Sequence, residues 1–320
     1  MSAKSNATGV FRRWWQIEPI QPARWEMILM RILFALVIWR CFPDVVHYDE
    51  QPHPNGIAHW VNLTFLADPQ VMKPLVWSFR AAIVCYALGV GITLSLGWML
   101  VFSTMVQTLL NSQGAIGHTS QIVSLAILAQ LAAWSWALAS KWRGATWANR
   151  LEIERLGVNW TMQMIVAAYV ISALTKLVKS EGRWILDTPY FGLQIIKAND
   201  MDYYNTLEPV SGSSMDWLAG WVMNSPAAAM VFIGSGLILE LFCFVGLFNR
   251  RLACVTGLIL ILFHSTVSVM MELDFIFNEY LLAIYFVNVP YWLWRAGSKI
   301  FSKPEAEAYD TKTRVAHSAP

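Results

Sequence analysis

Apolar runs of about twenty residues alternate along this chain with short polar breaks, and eight of them are long enough to cross a hydrocarbon core. They fall at 25–46, 71–90, 92–110, 121–139, 160–178, 226–248, 252–271 and 275–294. Only Gly89-Val90-Gly91 separates the second from the third, and Pro226 stands where a proline opens a helix. The pattern predicts an all-α, polytopic helical membrane protein of about eight transmembrane helices, with a helical domain over 25–295. Residues 1–24 form an N-terminal segment, 296–320 a polar, disordered tail, and 47–70 and 180–225 two long stretches on one side. Within the second, the apolar positions of Met215 to Met223 predict a short amphipathic helix lying on the membrane surface.

Composition sharpens this picture. The chain is 56% hydrophobic and 14% charged, against about 25% charged in soluble domains, and its seventeen Trp suit two interfacial belts. The net charge of +2 says little, but its distribution fixes an orientation. With the N-terminus inside, the inner segments hold fifteen Lys and Arg, and the outer ones hold Lys73, Lys179, Arg183 and Lys197. Both termini are therefore expected in the cytoplasm, in a multi-pass protein of the bacterial inner-membrane type. The first 24 residues lack the apolar core of a cleaved signal peptide. Cys41, Cys85, Cys243 and Cys254 lie in apolar runs without a CxxC and read as buried free thiols. No nucleic-acid module, phosphate loop, HExxH or GxSxG is present.

Chemistry must then come from polar groups set into the apolar runs. Arg31, Arg40, Arg80, Lys176, Glu240 and His264 are such groups, and each costs about 2.5–3.5 kcal/mol at a helix centre unless it finds a partner, a cavity or an interface. The fifth run is the richest: Tyr169, Ser172 and Lys176 recur at helical spacing, so one face presents a phenol, a hydroxyl and an ammonium together. Lys176 admits two readings, a lysine snorkelling to the outer headgroups or a desolvated amine acting as a base. Glu240 and His264 lie too deep to snorkel. They are either satisfied by neighbouring helices, one of them pairing with Arg31 or Arg80, or they form a proton relay or ligand contact. His118 lies between the third and fourth runs and reads as a solvated loop residue. His47, His53 and His59 match no compact metal motif, and no metal site is expected.

One family pattern fits these positions. Ala173-Leu174-Thr175-Lys176-Leu177, followed by Trp184, resembles the Ala-Gly-x-Lys-Leu…Trp pattern of the horizontally transferred transmembrane (HTTM) family, which includes the membrane domain of vitamin K-dependent gamma-carboxylase. Glu240 ahead of Leu247-Phe248-Asn249-Arg250-Arg251, the Phe263-His264 pair and Arg31 agree with it, in a consistent order over roughly residues 20–295. In the carboxylase the lysine corresponding to Lys176 is held to deprotonate reduced vitamin K. The anion reacts with oxygen, the strong base so formed takes a proton from a glutamate side chain, and carbon dioxide adds there. The resemblance gives His118 an assisting role. Leu174 and Thr175 replace the family's glycine and adjacent lysine, and the sequence ends at Pro320 with a short tail where the carboxylase carries a large soluble domain. The resemblance thus implies a hydrophobic ligand in the bundle rather than protein carboxylation.

Two functions follow as expectations. The first is an HTTM-like protein binding a quinone-like or lipid ligand, such as a hydroxynaphthoquinol. Lys176, His264 and His118 would be its catalytic residues, and Tyr169, Ser172, Glu240, Arg31 and Trp184 its ligand contacts, with carboxylase- or epoxidase-like chemistry on the ligand. The second is a non-enzymatic accessory or scaffold subunit whose partners are membrane lipid and other membrane-complex proteins. A transporter would show inverted repeats, which the sequence lacks.

Overall fold

The computed structural model describes residues 16–47, 54–113, 119–146, 149–207 and 215–301. Among them the chain is helical with no strand, an all-α polytopic membrane protein, and six helices are long and apolar enough to cross a membrane. The backbone falls into two compact parts, Met1–Val287 and Asn288–Pro320.

In the first part α1 spans Arg24–Cys41, α2 Pro69–Leu88, α3 Ile92–Asn111, α4 Gln121–Trp142 and α5 Arg150–Lys179. α1 stops short of the predicted end near Val46 because Phe42, in extended backbone, precedes Pro43, which disfavours the helical conformation before it. Its 18 residues reach about 27 Å. Gly89 and Gly91, both at positive φ, make the tight turn between α2 and α3. α5 begins ten residues before the apolar run, where the Asn149 side chain accepts from the Glu152 N–H and caps it.

The stretch 180–225 is more structured than a loop. It folds into α6 (Phe191–Asn199), α7 (Met201–Thr206) and α8 (Asp216–Asn224). α8 is the expected amphipathic helix: Ala219 and Val222 are buried while Trp217 and Trp221 are exposed. Its buried face packs on α6 at Gly192, where a Cβ would stand 2.7 Å from the Ala219 carbonyl oxygen. The sixth apolar run comprises α9 (Pro226–Phe232), α10 (Gly234–Phe242) and a 3-10 segment to Leu247. α11 (Arg250–Met271) follows, and then α12 (Ile276–Leu282), which ends in a π turn over Ala283–Val287.

The second part contains α13 (Val289–Phe301) after Asn288 at φ +48°. The expected single helix over 275–294 is therefore interrupted. Pro290 has no N–H to donate to the Phe286 carbonyl, and its ring would clash there, which favours a break before it, and it falls instead in the first turn of α13.

The core of the first part joins α1 to α5, with Phe34, Phe79, Phe102, Leu96, Met99 and Ile127 fully buried and Phe79 stacked on Phe102 at 4.2 Å. Within it Tyr86 Oη donates to Gln130 Oε1 at 2.6 Å, and Gln130 Nε2 donates to Tyr285 Oη at 2.9 Å, so three buried polar side chains satisfy one another. Arg80 caps α1 by donating to the carbonyls of Trp39 and Phe42 and pairing with Asp44 at 2.6 Å. At the other end of α1, buried Glu26 pairs with Arg250 at 2.6 Å. There Asn249 donates to the Gln16 carbonyl and the Glu18 N–H donates to the Phe248 carbonyl, strapping the N-terminal segment across the α10–α11 junction. Three of the four free cysteines are at least partly buried; Cys85 is exposed on α2.

Candidate functional site

The last turns of α5 run beside α10, and each carries one ionisable group toward the other. Lys176 Nζ donates to Glu240 Oε2 at 2.5 Å, with the ammonium side chain 31% exposed and the carboxylate 6%. Ser172, one turn before Lys176, lies beside the Glu240 carboxylate. The Lys176 ammonium lies 5.5 Å from the Trp184 ring, and the Ser180 hydroxyl holds Trp184 in place by accepting from its N–H at 2.9 Å. Lys176 thus turns inward to a buried acid and an indole. Of the predicted face, Lys176 meets Glu240, while Tyr169, two turns back, accepts from Asn278 Nδ2 at 3.3 Å.

The pair borders a cavity of about 420 Å³ between α5, α10 and α11, whose far wall comes from α6, α9 and the segment entering α12. Phe191, Ile195, Phe232, Phe263 and Met270 make most of it apolar. Gly236 matters here, because a Cβ there would stand 2.3 Å from the Phe263 ring; its absence lets the tip of that ring reach the α10 backbone. His264 is the third ionisable group on the wall. Its Nδ1 contacts the Leu260 carbonyl at 2.7 Å, and since a carbonyl only accepts, Nδ1 carries a proton. Its Nε2 has no protein hydrogen-bond partner among the described residues, so the ring, wedged between Tyr169 at 5.4 Å and Phe275 at 4.8 Å, offers that nitrogen to the cavity.

Of the sequence-predicted residues, Lys176, Glu240, His264 and Trp184 line the cavity, and Tyr169 and Ser172 stand directly behind it. Arg31 does not join them. It lies at the opposite end of the bundle, 3.0 Å from Glu154, and Arg80 is with Asp44, so neither is the partner of Glu240. His118 and His53 lie outside the described residues; His47 and His59 are exposed. Two residues escaped the sequence reading. Asn278 holds Tyr169 and has a buried Oδ1 with no partner, and Glu279 accepts from the Ser265 hydroxyl, beside His264, at 2.9 Å. The polar pair Asn278-Glu279 inside an apolar run was the available signal, by the same rule that found Glu240.

Chemically, an apolar chamber with an ammonium, a carboxylate and an imidazole nitrogen on its wall suits an amphiphile with one polar, proton-bearing head. Comparison with protein-family models, with curated proteins and with solved structures finds no match for this chain.

Proposed function

We propose that this chain is an HTTM-type membrane protein that binds a hydrophobic, quinone-like or lipid ligand in the Lys176–Glu240 cavity. The observation that carries the reading is the ion pair on the wall of a largely apolar chamber whose volume falls in the 300–1,000 Å³ range of small-molecule sites. The ligand's ring or chain lies against Phe232 and Phe263, and its oxygen meets the pair. Glu240 can take the proton of a ligand hydroxyl while Lys176 holds the resulting oxyanion, so the two divide the work of base and counter-ion. His264 Nε2 supplies a second contact to the head. The cavity wall includes exposed Leu262 and Phe232, which fits entry from the lipid side between α9 and α11. The family resemblance extends this to base chemistry on a reduced quinone.

The test is organic extraction and mass spectrometry of protein purified in gentle detergent. Wild type is expected to retain a quinone or isoprenoid that Lys176→Met and the Lys176→Met/Glu240→Gln double variant lose. The double variant removes both charges together and so separates loss of binding from the strain of an unpaired carboxylate. Identical extracts from all three proteins would refute the proposal and favour the scaffold role.

A further inference from the structure

A second chamber lies at the opposite, basic end of the bundle, remote from Lys176. It holds about 330 Å³ and is lined by Arg24, Ile28, Arg31, Arg150, Leu151 and Glu154. Three guanidinium groups and one carboxylate make a surplus of two positive charges. Arg31 Nη1 and Arg150 Nε both donate to the same oxygen, Glu154 Oε1, each at 3.0 Å. Their Nη2 atoms converge over Gly89, 3.1 and 2.5 Å from the point where a Cβ would stand there. Arg24 has no ion-pair partner among the described residues. Both α1 and α5 begin at this chamber, with Arg24 and Arg150 as their first residues, so two positive helix ends add to the field.

Like charges held this close, with a single carboxylate between them, call for a further anion. Guanidinium forks match the paired oxygens of a phosphate better than a point charge does. The wall also continues into an apolar track. Ile28 on the chamber wall is followed one and two turns along α1 by Ile32 and Leu36, and all three are exposed. A free phosphate has no use for that track, whereas the acyl chain of a phospholipid does.

We propose that this chamber binds the phosphate headgroup of an anionic phospholipid, with an acyl chain along Ile28, Ile32 and Leu36. It would fix the basic end of the bundle to its leaflet, independently of whatever occupies the Lys176 cavity. The test uses the full chain in phosphatidylcholine nanodiscs, with phosphatidylglycerol or inorganic phosphate added and thermal unfolding and native mass as readouts. Phosphatidylglycerol is expected to raise the melting temperature saturably and to remain bound in the mass spectrum. Arg24→Gln should weaken that binding about fivefold, and Arg24→Gln with Arg150→Gln about 30-fold. Arg143→Gln, a loss of the same charge outside the chamber, should leave it unchanged. Arg150 also braces Gly89 and Glu154, so Arg24→Gln alone is the variant whose fold is not at stake. An equal response of wild type, Arg24→Gln and Arg143→Gln to phosphatidylglycerol would overturn the proposal. A saturable response to inorganic phosphate that matches the lipid's and disappears with Arg24→Gln would overturn the lipid assignment in favour of a free anion.

Discussion

The Lys176–Glu240 pair makes an asymmetric prediction. Removing one member of a buried ion pair costs about 3–5 kcal/mol when the other is left buried and charged. Glu240 meets that condition: its side chain is 6% exposed, and after Lys176→Met only the neighbouring Ser172 hydroxyl is left to turn and donate to it. One hydrogen bond to a charged group recovers about 1.5–3 kcal/mol, so Lys176→Met should destabilise the protein by about 2 kcal/mol. Lys176 does not meet it. Its side chain is 31% exposed, sits in the last turn of α5 and lies beside Trp184, so after Glu240→Gln the ammonium can swing out to the interface, and the glutamine amide is neutral. That variant should lose no more than about 1 kcal/mol. The double variant, with no charge left, should return to within about 1 kcal/mol of wild type, which gives a coupling of about 2 kcal/mol. Equilibrium unfolding in mixed micelles titrated with sodium dodecyl sulfate would measure all four proteins, and about 2 kcal/mol is a 30-fold change in the unfolding constant. Equal losses in the two single variants, or a double variant as unstable as Lys176→Met, would refute the reasoning.

Two further outcomes follow from packing. Gly236→Ala should push Phe263 off α10 into the cavity, costing about 1–3 kcal/mol by overpacking and lowering ligand retention in the extraction assay; unchanged stability and retention would mean that the ring moves freely. Gln130→Leu should strand the buried hydroxyls of Tyr86 and Tyr285 at about 1–3 kcal/mol each, whereas the same change combined with Tyr86→Phe and Tyr285→Phe should recover most of the loss in the same unfolding titration.

Hydropathy made most helices legible. The runs at 71–90, 92–110, 121–139 and 252–271 fall within three residues of α2, α3, α4 and α11 at either end, because membrane-length apolar segments ending in polar turns leave little choice. It was blind where helices are polar or short. The first ten residues of α5, Arg150 to Asn159, are helical because Asn149 caps them and Glu154 finds two arginines, neither of which raises mean hydropathy. α6 and α8, at nine residues each, are held by packing on each other and on α9 and α11, and those contacts are invisible in a linear window. The site divides in the same way. That Lys176, Glu240 and His264 needed partners could be read from the sequence, since charge in an apolar run demands one. Which partners they found could not: Glu240 lies 64 residues from Lys176, and the arginines that seemed available to it are consumed elsewhere, one by Glu154 and one by the end of α1.

The strap at the basic end carries a consequence for the order of synthesis. Glu26 is made 224 residues ahead of its counter-ion Arg250, and residues 16 and 18 are made 233 and 230 residues ahead of Asn249 and Phe248, which hold them. At about 5–20 residues per second, the ribosome takes roughly 10–45 s to add that length of chain. Throughout that interval the first helix must wait with an acid that its finished surroundings neutralise. Its N-terminal turn has no arginine partner until the turn between α10 and α11 emerges, so residues 16–26 are among the last parts of the bundle to lock.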